Sequence, residues 1–283
     1  MRRDAIPATG PHEIRPMTSR EFASIRQLAF DTCGMDFAES KKEMIAARLD
    51  RALRKLSLSS YEAYYLHVRD DASGLALREF IDAVATNHTN FLREPDHFAF
   101  LRKKFGRIES RGRPIRIWSA ACSTGEEPYS IAMTMLSERR QEIVPGFQVL
   151  ASDISTRALS AAQCAVYTRE RLRDLPSAWV TEFFEVGSGR WSGCMKVKKT
   201  VRDTIRFERF NLLDRASDFG TFDVIFCRNV MLYFSRATQE GIVSRMTERL
   251  NPGGYLLTGH TESLLGLRHG LVYVQPAAYQ RVS

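Results

Sequence analysis

RIWSAACSTGEEPY, Arg116 to Tyr129, is the stretch on which the reading of this chain turns. Ile115, Ile117 and Trp118 follow Pro114 as a short apolar run, the pattern of a buried parallel strand. Small side chains come next, Ser119 through Thr124, with a single glycine at Gly125. Glu126, Glu127 and Pro128 then open a helical pattern carried by Ile131, Met133, Met135 and Leu136. Strand, small-residue turn and helix N-terminus make the first half of a nucleotide-type site, because small side chains let a ligand approach the backbone. Ser123/Glu126 and Thr124/Glu127 both have capping-box spacing, so a turn that merely starts a helix fits these residues as well. One glycine in place of G-x-G-x-x-G argues against a dinucleotide pyrophosphate lying over the turn.

The strands that follow favour a ligand site. Phe147 to Asp153 is a second apolar strand that ends in an acid, and Ile154 to Ala162 reads as the helix after it. An acid at that tip is placed to accept hydrogen bonds from both hydroxyls of a ribose. A third strand, Phe207 to Asn211, ends in an amide able to address an adenine edge. A fourth, Phe222 to Cys227, runs straight into Arg228, Asn229 and the apolar stretch through Tyr233 and Phe234. Small or polar groups on four strand tips of one sheet edge describe a crevice for a cofactor that contains adenosine.

The 283 residues, 44% hydrophobic and 26% charged, have a globular composition with material for one large domain and a smaller one. No apolar run approaches the ~18 residues of a membrane span, and the N-terminus lacks an apolar signal core; both predict a soluble cytoplasmic protein. Cys33, Cys122, Cys164, Cys194 and Cys227 are scattered without C-x-x-C or histidine pairing, so reduced thiols and no metal are expected. The net charge of +8 points to an acidic partner, nucleic acid or protein.

Residues 1–16, rich in proline and arginine, read as a flexible leader, and a helical region runs from about Thr18 to His88. Its second helix, roughly Ser40 to Leu56, pairs an apolar stripe (Ile45, Leu49, Ala52, Leu53, Leu56) with an adjacent basic face of Lys41, Arg48, Arg51 and Lys55. Residues 1–90 balance 13 basic against 13 acidic side chains, so that face is local; it is either a solvated surface or a grip for an acidic helix. Thr86 to Pro95 is dense in hydrogen-bonding side chains for a linker, and Arg102 to Pro114 is a basic approach to the central strand. Between Ala162 and the third strand the chain is longer than a helix-to-strand connection needs. Phe183 to Gly193 and Cys194 to Val201 there read as short strands about a glycine turn, an inserted antiparallel subdomain. Asn251-Pro252-Gly253-Gly254 closes the helix that starts near Ala237, and Tyr255 to Gly259 is the next strand. Leu271 to Val274 and Tyr279 to Val282 form a terminal hairpin.

The stretches TNHTNFLREPDHF, RIWSAACSTGEEPYSIA, ASDIS, FNLLD, FDVIFCRNVMLYF, LNPGGYLLTGHTES and VYVQPAAYQR, in this order, resemble the CheR family of chemotaxis receptor methyltransferases. The resemblance runs from the basic helix near Lys41 to the final hairpin. It implies an α/β fold: a Rossmann-like S-adenosylmethionine-dependent methyltransferase sheet, mostly parallel with an antiparallel terminal hairpin. An N-terminal all-helical domain over 17–90 precedes the methyltransferase domain over 91–283, with the β-subdomain inserted at about 166–206. Matched motif by motif, it implies cofactor contacts at Asn87, Thr89, Arg93, Glu127, Asp153, Asn211, Leu212, Cys227 and Arg228. GEEP favours Glu127 over its neighbour Glu126 without excluding the latter. Arg93 and Tyr233 are implied to lie nearest the methyl-transfer centre, and Lys41, Arg48, Arg51 and Lys55 to meet the receptor. Two departures are Cys122, where the family often has alanine, and Phe91-Leu92, commonly two aromatics.

The implied reaction moves a methyl group from S-adenosylmethionine to receptor glutamate carboxylates. Glutamate titrates near ~4.3, so the nucleophile is already ionised and needs no general base. The implied partners are receptor cytoplasmic helices and, through the β-subdomain, the receptor's C-terminal peptide; no nucleic acid, no membrane insertion and a monomer are expected. A nucleic-acid methyltransferase would share the cofactor half, but enzymes acting on base amino groups tend to carry Asn/Asp-Pro-Pro-aromatic where this chain has Cys227-Arg228-Asn229-Val230. A non-catalytic module that senses S-adenosylmethionine is the other alternative, against which Arg93, Asp153 and Tyr233 argue.

Overall fold

The computed structural model describes residues 14–105, 113–139 and 146–282. The expected leader up to residue 13 and the basic approach over 106–112 lie outside the described residues. Two compact units divide between Ala85 and Thr86.

The first unit is helical: α1 (Ser19–Cys33), α2 (Lys42–Lys55), α3 (Tyr61–Asp70) and α4 (Leu75–Val84). Thr18 and Glu21 form a reciprocal capping box at the start of α1, and Glu21 Oε1 also accepts the Glu62 N–H at 3.0 Å, tying α1 to α3. Phe22, Ile25, Ile45, Leu49, Leu53, Phe80 and Ile81 are buried, the helical spacing bringing one apolar stripe of each helix to a common core.

The second unit holds α5 (Asp96–Phe105), α6 (Glu126–Arg139), α7 (Thr156–Cys164), α8 (Ser177–Phe183), α9 (Lys199–Arg202) and α10 (Arg236–Arg249). Its main sheet uses β1 (Ile115–Ala120), β2 (Phe147–Asp153), β6 (Ile205–Arg209), β7 (Phe222–Cys227), β8 (Leu250–Thr258), β9 (Leu271–Gln275) and β10 (Ala278–Arg281). Their order is β6-β2-β1-β7-β8-β10-β9, with the first five parallel and the β9–β10 hairpin antiparallel. A second sheet pairs β3 (Val166–Thr168) and β4 (Phe184–Val186) antiparallel to a central β5 (Cys194–Val197). This is the mostly parallel sheet with a terminal antiparallel hairpin, and the small antiparallel insertion, expected from sequence.

Burial on both faces explains the near-continuous apolar strands. Ile117, Val224 and Phe226 face a core that includes Phe98 and Leu101 of α5 and Ile131 of α6. The alternate residues Trp118 and Ile225 face Ile242, Val243 and Met246 of α10. At the opening of the parallel strands, Arg113 forks onto Asp223 at 2.9 and 2.6 Å, and Asp223 also accepts from Arg116 N at 2.9 Å and Asn251 Nδ2 at 3.0 Å. One carboxylate thereby staples the starts of β1, β7 and β8 together.

Candidate active site

The chain leaves β1 for β2 on one side, while β7 pairs on the other, so the carboxyl ends of β1 and β7 flank the point where strand order reverses. Open parallel sheets form their ligand crevice at such a point. The turn after β1 is sharply folded there. Ala121, Ser123 and Gly125 have φ of 62°, 51° and 96°, so two non-glycine residues share the left-handed region with the glycine. Gly125 is required by packing as well as by φ: a Cβ on it would stand 2.8 Å from Ala162 Cβ and 2.9 Å from the Tyr167 hydroxyl.

Neither of the two capping boxes that the spacing allowed forms on this turn. Ser123 Oγ donates to Asn87 O at 3.1 Å, and Thr124 Oγ1 donates to Glu126 Oε2 at 2.6 Å. The glutamates reach outward because each has a partner elsewhere in the fold. Glu126 is buried against the β-subdomain, where Arg171 pairs with it and the Tyr167 hydroxyl donates to Thr124 O at 2.7 Å. Glu127 instead lies along β1 and β7, accepting from Ser119 Oγ at 2.7 Å and from Arg228 Nη1 at 2.9 Å.

Arg228 joins three segments. Besides Glu127, its guanidinium donates to Arg93 O and pairs with Glu94 Oε2 at 3.0 Å, and its side chain is only 1% exposed. Burial pushes the Glu127 carboxyl above its ordinary value, with Arg228 and Ser119 pulling the other way. Glu94 is held below its ordinary value, because Arg228 and Asn229 outweigh the burial that acts first to raise it. Glu94 Oε1 accepts Asn229 Nδ2 at 3.1 Å and Oε2 the His260 N–H at 3.3 Å. Glu94, His97 and His260 bring potential metal-ligand atoms within 4.8 Å of one another. A divalent ion there would contend with the Arg228 guanidinium for the same Glu94 oxygen.

Asp153 ends β2 as expected. Its Oδ2 accepts the Ser123 N–H at 2.8 Å and its Oδ1 the Ser155 N–H at 2.9 Å, so the acid is fixed to the turn after β1. Beyond β6, Asn211 Oδ1 accepts the Leu213 N–H at 3.1 Å, and Leu212 O accepts Arg245 Nη2 at 3.0 Å. Asn87 and Thr89 lie on the segment before α5, which Ser123 and the Leu92 N–H to Ser130 Oγ (2.9 Å) hold to the start of α6. Arg93 is half-buried and donates to His88 O at 3.1 Å. Cys227 is fully buried and its thiol is pushed well up by burial, which leaves it un-ionised. Tyr233 is half-buried in a single 3-10 turn, Met231–Tyr233, after β7.

In the first unit the basic face divides. Arg48 is half-buried and donates from Nη1 to Val84 O at 2.6 Å, and Lys55 pairs with Glu79 at 2.8 Å. Lys41 and Arg51 are exposed. The face is therefore not a set of four uncompensated cations: an acid on α4 meets Lys55, and Arg48 serves its own domain.

Residues 87–278 match the family model described as CheR methyltransferase, SAM binding domain, and residues 20–85 match CheR methyltransferase, all-alpha domain. The chain belongs to the CheR methyltransferase family. It is 39% identical over 264 residues to chemotaxis protein methyltransferase 2 of Pseudomonas aeruginosa, covering 93% of each chain. It is 39% identical over 253 residues to the chemotaxis protein methyltransferase of Klebsiella aerogenes, covering 88% of this chain and 84% of that one. Among solved structures it is similar to PKMT2 from Rickettsia typhi in complex with AdoHcy, at a TM-score of 0.37 and 17% identity, over 62% of this chain and 26% of that one.

As a CheR methyltransferase it uses S-adenosylmethionine. The side chains at the crevice suit that molecule's chemistry: carboxylates at Asp153 and Glu127 for hydroxyl and ammonium donors, and a turn of small residues that lets a ligand near the backbone. Sequence reasoning missed Glu94, Ser119 and Arg171, which hold parts of this site, and Glu262, which accepts the Asn229 N–H at 2.6 Å and the Met231 N–H at 2.7 Å. REP and HTES were visible as polar groups at element ends, but nothing local marks an acid as buried.

Proposed function

We propose that this CheR-family methyltransferase esterifies glutamate side chains of chemoreceptor cytoplasmic helices. The observation that carries the reading is the pairing of both CheR domain matches in one chain, over 20–85 and 87–278, with relatives of nearly equal length named chemotaxis protein methyltransferases. Bound S-adenosylmethionine supplies an electrophilic sulfonium methyl group. Asp153 receives the ribose hydroxyls, and Glu127 receives the amino group, with its charge balanced by Arg228 at 2.9 Å. Asn87, Thr89, Asn211, Leu212 and the backbone of Cys227 complete the cofactor pocket. The Arg228 side chain acts through Glu127 and Glu94, since its guanidinium is committed to them.

The receptor carboxylate arrives ionised, so the protein has to orient it and strip part of its water rather than deprotonate it. Arg93 steers that carboxylate or the cofactor's own by a forked pair, and the Tyr233 hydroxyl holds it in line. Lys41 and Arg51 supply the exposed attraction to an acidic helix.

The β-subdomain is the proposed dock for a receptor C-terminal peptide. β4 is an edge strand whose Val186 is exposed, beside an exposed Trp191, and such an edge accepts an extended peptide by strand addition. Lys198 donates to Thr181 O and Glu182 O and Lys199 pairs with Asp203, which leaves Lys196 as the lysine of that group positioned for the peptide's carboxylate. The test of the reaction incubates the protein with methyl-labelled cofactor and receptor cytoplasmic helices. Label released as methanol by mild alkali identifies carboxyl esters; alkali-stable label refutes the glutamate assignment.

A further inference from the structure

We propose that Glu262 is a positioning residue for methyl transfer: one buried carboxylate sets the shape of the turn that presents Tyr233. The proposal rests on the reading of Tyr233 as adjacent to the reacting atoms. Glu262 lies in the loop after β8 and is 7% exposed. Its Oε2 accepts the Asn229 N–H at 2.6 Å and the Gly259 N–H at 2.8 Å. Its Oε1 accepts the Met231 N–H at 2.7 Å and the Leu232 N–H at 3.3 Å. Two of those donors, Met231 and Leu232, belong to the turn that ends in Tyr233, Asn229 stands just before it, and Gly259 follows the end of β8.

That turn has little to hold itself. Tyr233 and Phe234 donate back to Val230 O at 3.2 Å and Met231 O at 3.0 Å, a single 3-10 turn. It follows Asn229 at φ 57°, in the left-handed region that asparagine tolerates better than most non-glycine residues. Gln239 Nε2 grips the far end through Met231 O at 2.9 Å and Phe234 O at 3.1 Å. Glu262 grips the near end. The fit around it is close: a Cβ at Gly259 would stand 2.6 Å from Glu262 Oε2 and 2.7 Å from Asn229 Nδ2.

A carboxylate suits this position because four N–H groups need four acceptor lone pairs in one place. Glutamine offers one acceptor oxygen and turns an NH2 toward two of the donors. The turn must then move, and Tyr233 moves with it. Loss of a buried anchor also lowers stability, so a purely structural role has to be separated from a positioning one. Asp223 provides the comparison: it is a buried carboxylate with four polar contacts at the start of β7, the strand whose other end leads into the turn held by Glu262.

The experiment measures kcat, KM, cofactor Kd and Tm on the full chain for Glu262→Gln, Asp223→Asn, Tyr233→Phe and the Glu262→Gln/Tyr233→Phe pair, well below every Tm. Glu262→Gln is expected to lower kcat about tenfold or more with cofactor Kd within about threefold. Asp223→Asn is expected to lower Tm while kcat stays within about twofold. On the Tyr233→Phe background, Glu262→Gln should cost less than about twofold in kcat, because the two residues act through one group. Glu262→Asp keeps the charge at a shorter reach; it should lose kcat less steeply, and it carries the test if the glutamine variant does not fold. Normal kcat in Glu262→Gln, an equal loss on both backgrounds, or an equal loss in Asp223→Asn overturns the proposal. Normal turnover in Tyr233→Phe overturns the reading of Tyr233 and this proposal together. An impaired Tyr233→Phe beside an unimpaired Glu262→Gln overturns the positioning role alone.

Discussion

Replacing Arg228 by methionine tests the charge arrangement at the centre of the site. The guanidinium stands 2.9 Å from Glu127 and 3.0 Å from Glu94, with its own side chain 1% exposed, and methionine fills much of the stem's volume against Phe98. The variant leaves two carboxylates without a cation. Breaking a buried pair in this way costs about 3–5 kcal/mol. The carboxyls can escape the penalty by taking up protons, and that sets a ceiling. From an ordinary value of 4.5, protonating one at pH 7 costs about 3 kcal/mol, and at pH 5 under about 1 kcal/mol. Without Arg228 the burial that raises both carboxyls is less opposed, so both should bind protons more readily in the folded variant than in wild type, and the variant should gain stability relative to wild type as pH falls. Urea unfolding at pH 7 and pH 5 therefore should give a loss of about 3–5 kcal/mol at the higher pH that shrinks by about 2 kcal/mol or more at the lower. A loss under about 1 kcal/mol, or one independent of pH, would refute the claim that Arg228 neutralises both acids.

Asp153→Ala should weaken S-adenosylhomocysteine binding by roughly 1–3 kcal/mol and also lower stability, because the Ser123 and Ser155 N–H groups lose their acceptors; unchanged affinity by calorimetry puts the ribose elsewhere. Lys41→Glu with Arg51→Glu should raise KM for receptor, most at low salt, with cofactor Kd unchanged, whereas Arg48→Glu should lower Tm because it breaks the bond to Val84 O; receptor kinetics insensitive to the first pair would leave that face as solvated surface. His97 is 0% exposed and pushed down to about 3, first by burial and then by Arg228, so it is neutral when folded. The unfolded chain binds that proton first, and stability should fall by up to about 1.4 kcal/mol per pH unit as pH drops from the unfolded histidine value toward 3. His97→Phe should flatten that part of the acid-unfolding curve, and an unaltered slope assigns it to other groups.

The elements of the sheet were legible because each depends on local pattern: the apolar run before Ser119, the acid ending Phe147–Asp153, and the terminal hairpin all lie where period and turn residues put them. Failures came where a side chain's partner is distant in sequence. Ser123/Glu126 and Thr124/Glu127 have the spacing of a cap, yet Asn87 claims Ser123 and Arg228 claims Glu127, and Arg228 is 101 residues from Glu127. Arg48 falls on the basic face of a helical wheel, but a long side chain crosses to Val84, 36 residues on. Periodicity tells which way a residue points and not what waits there.

The acids illustrate why that gap falls on this site in particular. Leu92, Glu94 and Asn229 have φ of 51°, 58° and 57° without being glycine, and each such residue costs on the order of 1–3 kcal/mol unless its surroundings over-determine it. The Ser130 hydroxyl pins Leu92, while Glu94 and Glu262 between them hold Asn229 by side chain and backbone. Glycine at these places would have announced a turn in the sequence, but it would also have left the turn free to move. Ordinary residues held by a hydroxyl and by carboxylates from distant segments keep such a turn in place with little sequence signal. Asn229 opens the stretch that carries Tyr233, and Leu92 and Glu94 bracket Arg93, so the backbone hardest to read from sequence is the backbone that presents the two side chains assigned to the reaction.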